Sequence, residues 1–124
     1  MSRYMAIGAI GTALGVALGA FGAHGLEGKV TEHYLDVFET GVRYHMYHAI
    51  GLMIVALLAE RIGSSKLLRT GANLLIAGVI VFSGSLYALA LTGKGILGAI
   101  TPIGGVAFIA GWICVAVAAL RGKA

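Results

Sequence analysis

Charge is what this sequence has least of. Only 11% of its 124 residues are Asp, Glu, Lys or Arg, against roughly 25% in a soluble domain. The charges that exist leave four uncharged stretches, residues 4–26, 44–59, 70–93 and 95–120. Three of these exceed the ~20 residues needed to cross a bilayer core, which excludes a soluble protein. Cysteine is nearly missing as well. Cys114 is the only one, so no intramolecular disulfide can form, and a lone thiol inside an apolar run reads as packing. There is no basic run either: the net charge of +4 is spread along the chain, and nucleic acid is excluded as a partner. The spans contain no carboxylate, which removes the acids that a proton relay would want. No serine sits on a nucleophile elbow with a histidine nearby. The glycine-rich segments lie in lipid-length helices, where a phosphate loop has no place. The chain therefore reads as no enzyme, with no cofactor.

What is present is 59% hydrophobic, and it predicts an all-α integral membrane protein, a single four-helix bundle without a separate soluble module. Spans are expected at about 4–23, 44–59, 70–91 and 102–120, with a short amphipathic interfacial helix at about 31–42 between the first two. Ala20, Phe21 and Gly22 could pass for a signal-peptide cleavage site, but the run before them is long for a signal core. A retained first span is expected. Within it Gly8, Gly11, Gly15, Gly19 and Gly22 recur every three or four residues and share one helix face. A face without side chains lets another backbone come close, and this supplies the dispersion contacts that hold helices together in lipid. Gly104 and Gly111, with Ala107 and Ala118, form a second small-residue face in the last span. The partner of each face is left open, inside the chain or on another copy.

The polar segment between residues 23 and 43 carries Glu27, Glu32, Asp36 and Glu39 against Lys29 and Arg43, a net charge of −2. Thr31 is an expected N-cap. Tyr34, Leu35, Phe38 and Val42 then repeat at helical spacing, opposite the acids. This helix is expected to lie on the membrane surface and to bend near Gly41 into the second span. At the junction stands a collar of Glu39, Arg43, Tyr44, His45, Tyr47 and His48. Glu39 and Arg43 have the spacing and order of a helical ion pair. Tyr, His and Arg join an apolar body to a polar tip, so the collar reads first as an interfacial belt anchoring the second span. A second reading is a metal site, with His45 and His48 three apart on a helix and His24 or Glu39 completing the shell if the loop folds over. The belt is the reading adopted, with no metal.

Asn73, Ser83, Ser85 and Tyr87 in the third span are expected to face protein. Residues 93–95 should end that helix, and Thr101 with Pro102 should start the fourth as cap and first helical position. If the N-terminus is cytoplasmic, that side holds Arg3, Arg61, Lys66, Arg69, Arg121 and Lys123, and the other holds Lys29, Arg43 and Lys94. Six against three puts both termini in the cytoplasm of an inner-membrane protein.

Four motifs carry a family resemblance: GAFGAHGL at 19–26, FETGVRYHMYH at 38–48, FSGSLY at 82–87 and TPIGG at 101–105. Together they resemble the YgdD-like, transmembrane protein 256 family of small membrane proteins, which carry a domain of unknown function. The resemblance implies a four-helix membrane protein, with no established activity and no catalytic residues to transfer. The function expected is that of a small structural or accessory multi-pass protein. Its expected partners are the lipid bilayer and either a second copy or a larger membrane complex. The alternative from another class is a transporter or ion-binding protein using the histidine collar.

Overall fold

The computed structural model describes residues 1–122; Lys123, counted above among the basic residues, lies outside them. The described residues form four helices, each long and apolar enough to cross a membrane: α1 Ser2–Gly25, α2 Glu32–Ile62, α3 Lys66–Thr92 and α4 Ile96–Arg121. There is no strand among the described residues, and the expected all-α membrane bundle is the fold observed. Adjacent helices run antiparallel. α1 packs along α2, α4 along α3, and α2 and α3 join the two hairpins in the middle.

The ends follow the chemistry of the sequence. Thr31 caps α2 by accepting from the Tyr34 amide at 3.3 Å. Ser65 does the same for α3 through the Leu68 amide at 3.0 Å. Gly93 ends α3 in the left-handed conformation, φ 69°, where a side chain would be strained.

Three boundaries differ from the sequence expectation. First, the bend near Gly41 is not there: the amphipathic segment continues into the second span as one 31-residue helix, about 46 Å long. Gly41 serves another purpose, since a Cβ at that position would lie 2.9 Å from the Tyr87 ring and 3.3 Å from Leu86. The glycine admits α3 instead of turning α2. Second, α4 starts at Ile96, not at Thr101, so Pro102 lies inside the helix. The proline withholds the amide that would have bonded the Gly98 carbonyl. Third, two π-helical turns interrupt the regular winding, Phe21–Gly25 at the end of α1 and Val79–Ser83 in the middle of α3. Each adds a residue to the turn and so re-phases the side chains beyond it by about 100°.

Two apolar clusters result. One joins Leu52, Val55 and Ala59 of α2 to Leu68, Ala72 and Leu75 of α3 and to Phe108 and Ala118 of α4. The other is smaller and lies toward the acidic end, where Leu26 of the first loop folds onto Phe38 and Ala90.

Candidate functional site

Between the two clusters lies a layer of polar side chains, and its positions are set by glycines and by the π turn of α3. Each glycine of the α1 face meets α2. Cβ atoms built at Gly8, Gly11 and Gly19 would lie 2.6 Å from Met53, 3.3 Å from Ala49 and 3.4 Å from Val42. Gly15 abuts Met46 and His45, and Gly22 abuts the ring of Phe38. The partner of this face is thus the chain's own second helix. On the other hairpin, Gly111 and Gly71 face each other, a Cβ on Gly71 meeting the Gly111 carbonyl oxygen at 3.0 Å, and Gly104 lies against the backbone of Phe82 in the π turn.

Because the Gly11 side of α1 has no side chain, its carbonyl is open to a second donor. His45 Nε2 reaches it at 2.7 Å, and His45 Nδ1 lies 2.8 Å from the Tyr87 hydroxyl. A carbonyl can only accept, so Nε2 carries the proton. In neutral imidazole Nδ1 is then the acceptor, and Tyr87 donates to it. One histidine thereby ties α1, α2 and α3 together. Re-phased by the π turn, Ser83 donates to the Gly41 carbonyl at 2.7 Å, and Ser85 pairs with Thr101 of α4. Every fully buried side-chain nitrogen and oxygen among the described residues has a partner.

The collar splits into two sets. Glu39, Arg43, Tyr44 and Tyr47 are exposed, as a belt would be. His45 and His48 are not: they are 6% and 7% exposed and turn into the bundle. A hydrated histidine belt is therefore corrected to two histidines inside the protein. His48 Nδ1 donates to the Tyr44 carbonyl at 2.7 Å. Its ring stacks on Phe108, with centroids 3.6 Å apart and planes at 13°, and Trp112 lies 5.8 Å away. His24 stays exposed on the π turn of α1. Among the described residues no three His, Cys, Asp or Glu side chains gather as metal ligands.

Tyr87, Ser83 and Ser85 were legible as polar residues facing protein. Gly41, Thr101 and Phe108 were not singled out as partners of the site. A signal existed for Gly41, which falls four residues before His45 and seven before His48 and so shares their face.

A groove of about 390 Å³ opens beside this layer, between α1 and α3 and over α2. Its walls include Ile10 and Leu14 of α1 and Leu75 and Ile80 of α3, with His45 and His48 along its floor. Beside it, the face of α1 formed by Gly8, Gly11, Gly15, Gly19 and Gly22 is turned to α2. α1 reaches α3 at its far end, where the Tyr4 hydroxyl donates to Asn73 Oδ1 at 2.6 Å.

Three of the four sequence motifs supply the polar layer, and the fourth, GAFGAHGL, packs beside it on Phe38 through Gly22 and Leu26. A family model described as "Protein of unknown function (DUF423)" matches residues 18–105, a stretch that contains all four. The UPF0382 membrane protein YwdK of Bacillus subtilis is 54% identical over 121 residues, covering 98% of both chains. UPF0382 membrane protein SH2409 of Staphylococcus haemolyticus is 48% identical, and SERP0230 of Staphylococcus epidermidis 46%, each over 122 residues and 98% of both chains. No solved structure matches the chain.

Proposed function

The chain belongs to the DUF423 family of proteins of unknown function, and from that premise we propose that it is a small structural or accessory protein of the cytoplasmic membrane, acting through helix packing as a subunit of a larger assembly. The observation that carries this reading is the polar layer. His45, Tyr87, Ser83, Ser85 and Thr101 bond to one another or to backbone carbonyls of neighbouring helices. In lipid such bonds fix which helices pair and in what register. These bonds give each of the groups a structural task between the helices. The chain is accordingly read as non-catalytic, with both termini cytoplasmic by the excess of Lys and Arg at that end. An ion path through the histidines has little support, because the groove beside them is walled by Ile, Leu and Val.

Two measurements test the reading. After gentle solubilisation of native membranes, the chain is expected to migrate with defined protein partners identified by mass spectrometry, and to carry no stoichiometric metal. Near-stoichiometric zinc, copper or iron that disappears in the His45→Gln, His48→Gln double variant would replace it with the ion-binding reading. For orientation, a single cysteine at Lys29 in a Cys114→Ser background should react with an impermeant thiol reagent on intact cells, and one at Ser64 should not. The opposite pattern reverses the topology.

A further inference from the structure

His48 has one nitrogen the polar layer does not use. Its Nδ1–H donates to the Tyr44 carbonyl, so in the neutral ring Nε2 is a lone-pair acceptor, and no group among the described residues donates to it. The side chain is 93% buried by its 7% exposure, and the cavity it lines is the groove between α1 and α3. Nε2 is not sealed in the packing, since no fully buried side-chain nitrogen among the described residues lacks a partner.

Depth sharpens the point. His48 lies twelve residues before Glu60 on a continuous helix, about 18 Å along the axis, which places it within a hydrocarbon core about 30 Å thick. Water is a poor occupant there because it needs two to four polar partners. Of the other polar atoms lining the groove, the His45 nitrogens and the Gly11 carbonyl are already bonded to each other or to Tyr87. A lipid acyl chain would match the walls but leave the acceptor unpaired in an apolar medium, which is unfavourable. The groove has the size and make-up of a small-molecule site, apolar walls with one placed polar atom. It is open along one side, with Ile10 63%, Leu14 55% and Ile80 67% exposed on its rims.

We propose that the groove between α1 and α3 binds a membrane-dissolved molecule with a long apolar body and a single hydroxyl, an aliphatic or isoprenoid alcohol or a phenol, whose O–H donates to His48 Nε2. Entry is lateral, from the bilayer between the two helices. Stacking on Phe108 and the bond to the Tyr44 carbonyl fix the plane of the imidazole.

The full-length protein in phosphatidylcholine nanodiscs tests this with two photoreactive probes, a diazirine-bearing hexadecanol and its methyl ether, which differ only in the donor. The alcohol should label groove residues of α1 and α3, mapped by mass spectrometry, at about tenfold lower concentration than the ether, the effect of one buried hydrogen bond. His48→Phe keeps a ring on Phe108 and should bring the alcohol down to the level of the ether. Ile80→Trp, at an exposed rim, should reduce labelling by both. Equal labelling by the two probes in the wild type would leave the bilayer's acyl chains as the occupant and overturn the proposal. So would an alcohol preference that survives His48→Phe, or labelling unaffected by Ile80→Trp. If His48→Phe does not fold, the wild-type comparison and the rim variant still decide the matter.

Discussion

The two helix hairpins are both built on glycine but use it differently. In the α3 and α4 pair the closest glycine contacts include backbone: Gly71 faces the Gly111 carbonyl, and a Cβ on Gly104 would stand 2.7 Å from the Phe82 Cα, while Gly78 meets the Phe108 ring. In the α1 and α2 pair Gly8 also meets backbone, the Ala49 carbonyl at 2.8 Å, but from Gly11 to Gly22 the face meets only side chains, among them Met46, Val42 and Phe38. Backbone cannot move aside without disturbing the helix, whereas a thioether turns about three bonds and refills the space. From Gly11 to Gly22 the first hairpin therefore has slack that the second lacks at Gly71 and Gly104. The groove lies along the first.

The widest separation between the two pairs is expected from Gly104→Ala against Gly15→Ala. The new methyl at 104 meets the main chain of the π turn, and the cost should be about 3 kcal/mol, the upper part of the overpacking range. At 15 it meets the end of Met46, and the cost should stay below about 1 kcal/mol. Reversible unfolding in mixed micelles measures both. Similar losses would show that the methionine is held as rigidly as the backbone, and the contrast between the hairpins would fail.

A smaller effect is expected from Tyr87→Phe, which removes the hydroxyl that joins α3 to His45 and leaves Nδ1 without its donor. Hydrogen bonds between membrane helices average about 0.6 kcal/mol and reach about 1.7 kcal/mol. The loss should fall near 1 kcal/mol. Pairing this change with His45→Gln gives a double-mutant cycle, and an interaction energy near zero would mean that the contact does not couple the hairpins.

Such a series also shows what the sequence could reveal. The number of spans was legible because a bilayer demands ~20 uncharged residues whatever the tertiary fold. The register of Gly8, Gly11, Gly15, Gly19 and Gly22 was legible because a face without side chains has few other uses in lipid. Rotation was not. Tyr44 and His45 are adjacent and equally suited to an interface, yet one is on the surface and the other bonds three helices, a choice made by Gly11 and Tyr87 far along the chain. Gly41 and Pro102 were misread for a related reason. Local propensity describes an isolated helix, and here α3 fills the space beside Gly41 while packing carries α4 through the proline. Neither π turn has a composition signature of its own. The groove is the space left by these choices, so it was the least legible feature.

The smallest effect is expected from Gly19→Ala. The added methyl would meet Val42 Cγ1 at 3.4 Å, an ordinary van der Waals distance. In water, replacing a mid-helix glycine by alanine would favour the helix by as much as about 1 kcal/mol. That gain largely cancels here, because a membrane-inserted span without its partner is already helical. Stability should therefore change by less than about 0.5 kcal/mol, read from the same unfolding transition. Gly19 is also only half-buried within one chain. If the isolated protein tolerates alanine in detergent while the protein in native membranes loses its co-migrating partners, the outer side of this glycine is a contact with another chain. A large loss in detergent as well would show that α1 and α2 pack more tightly at Val42 than at Met46, and that the first hairpin has less slack than its side chains imply.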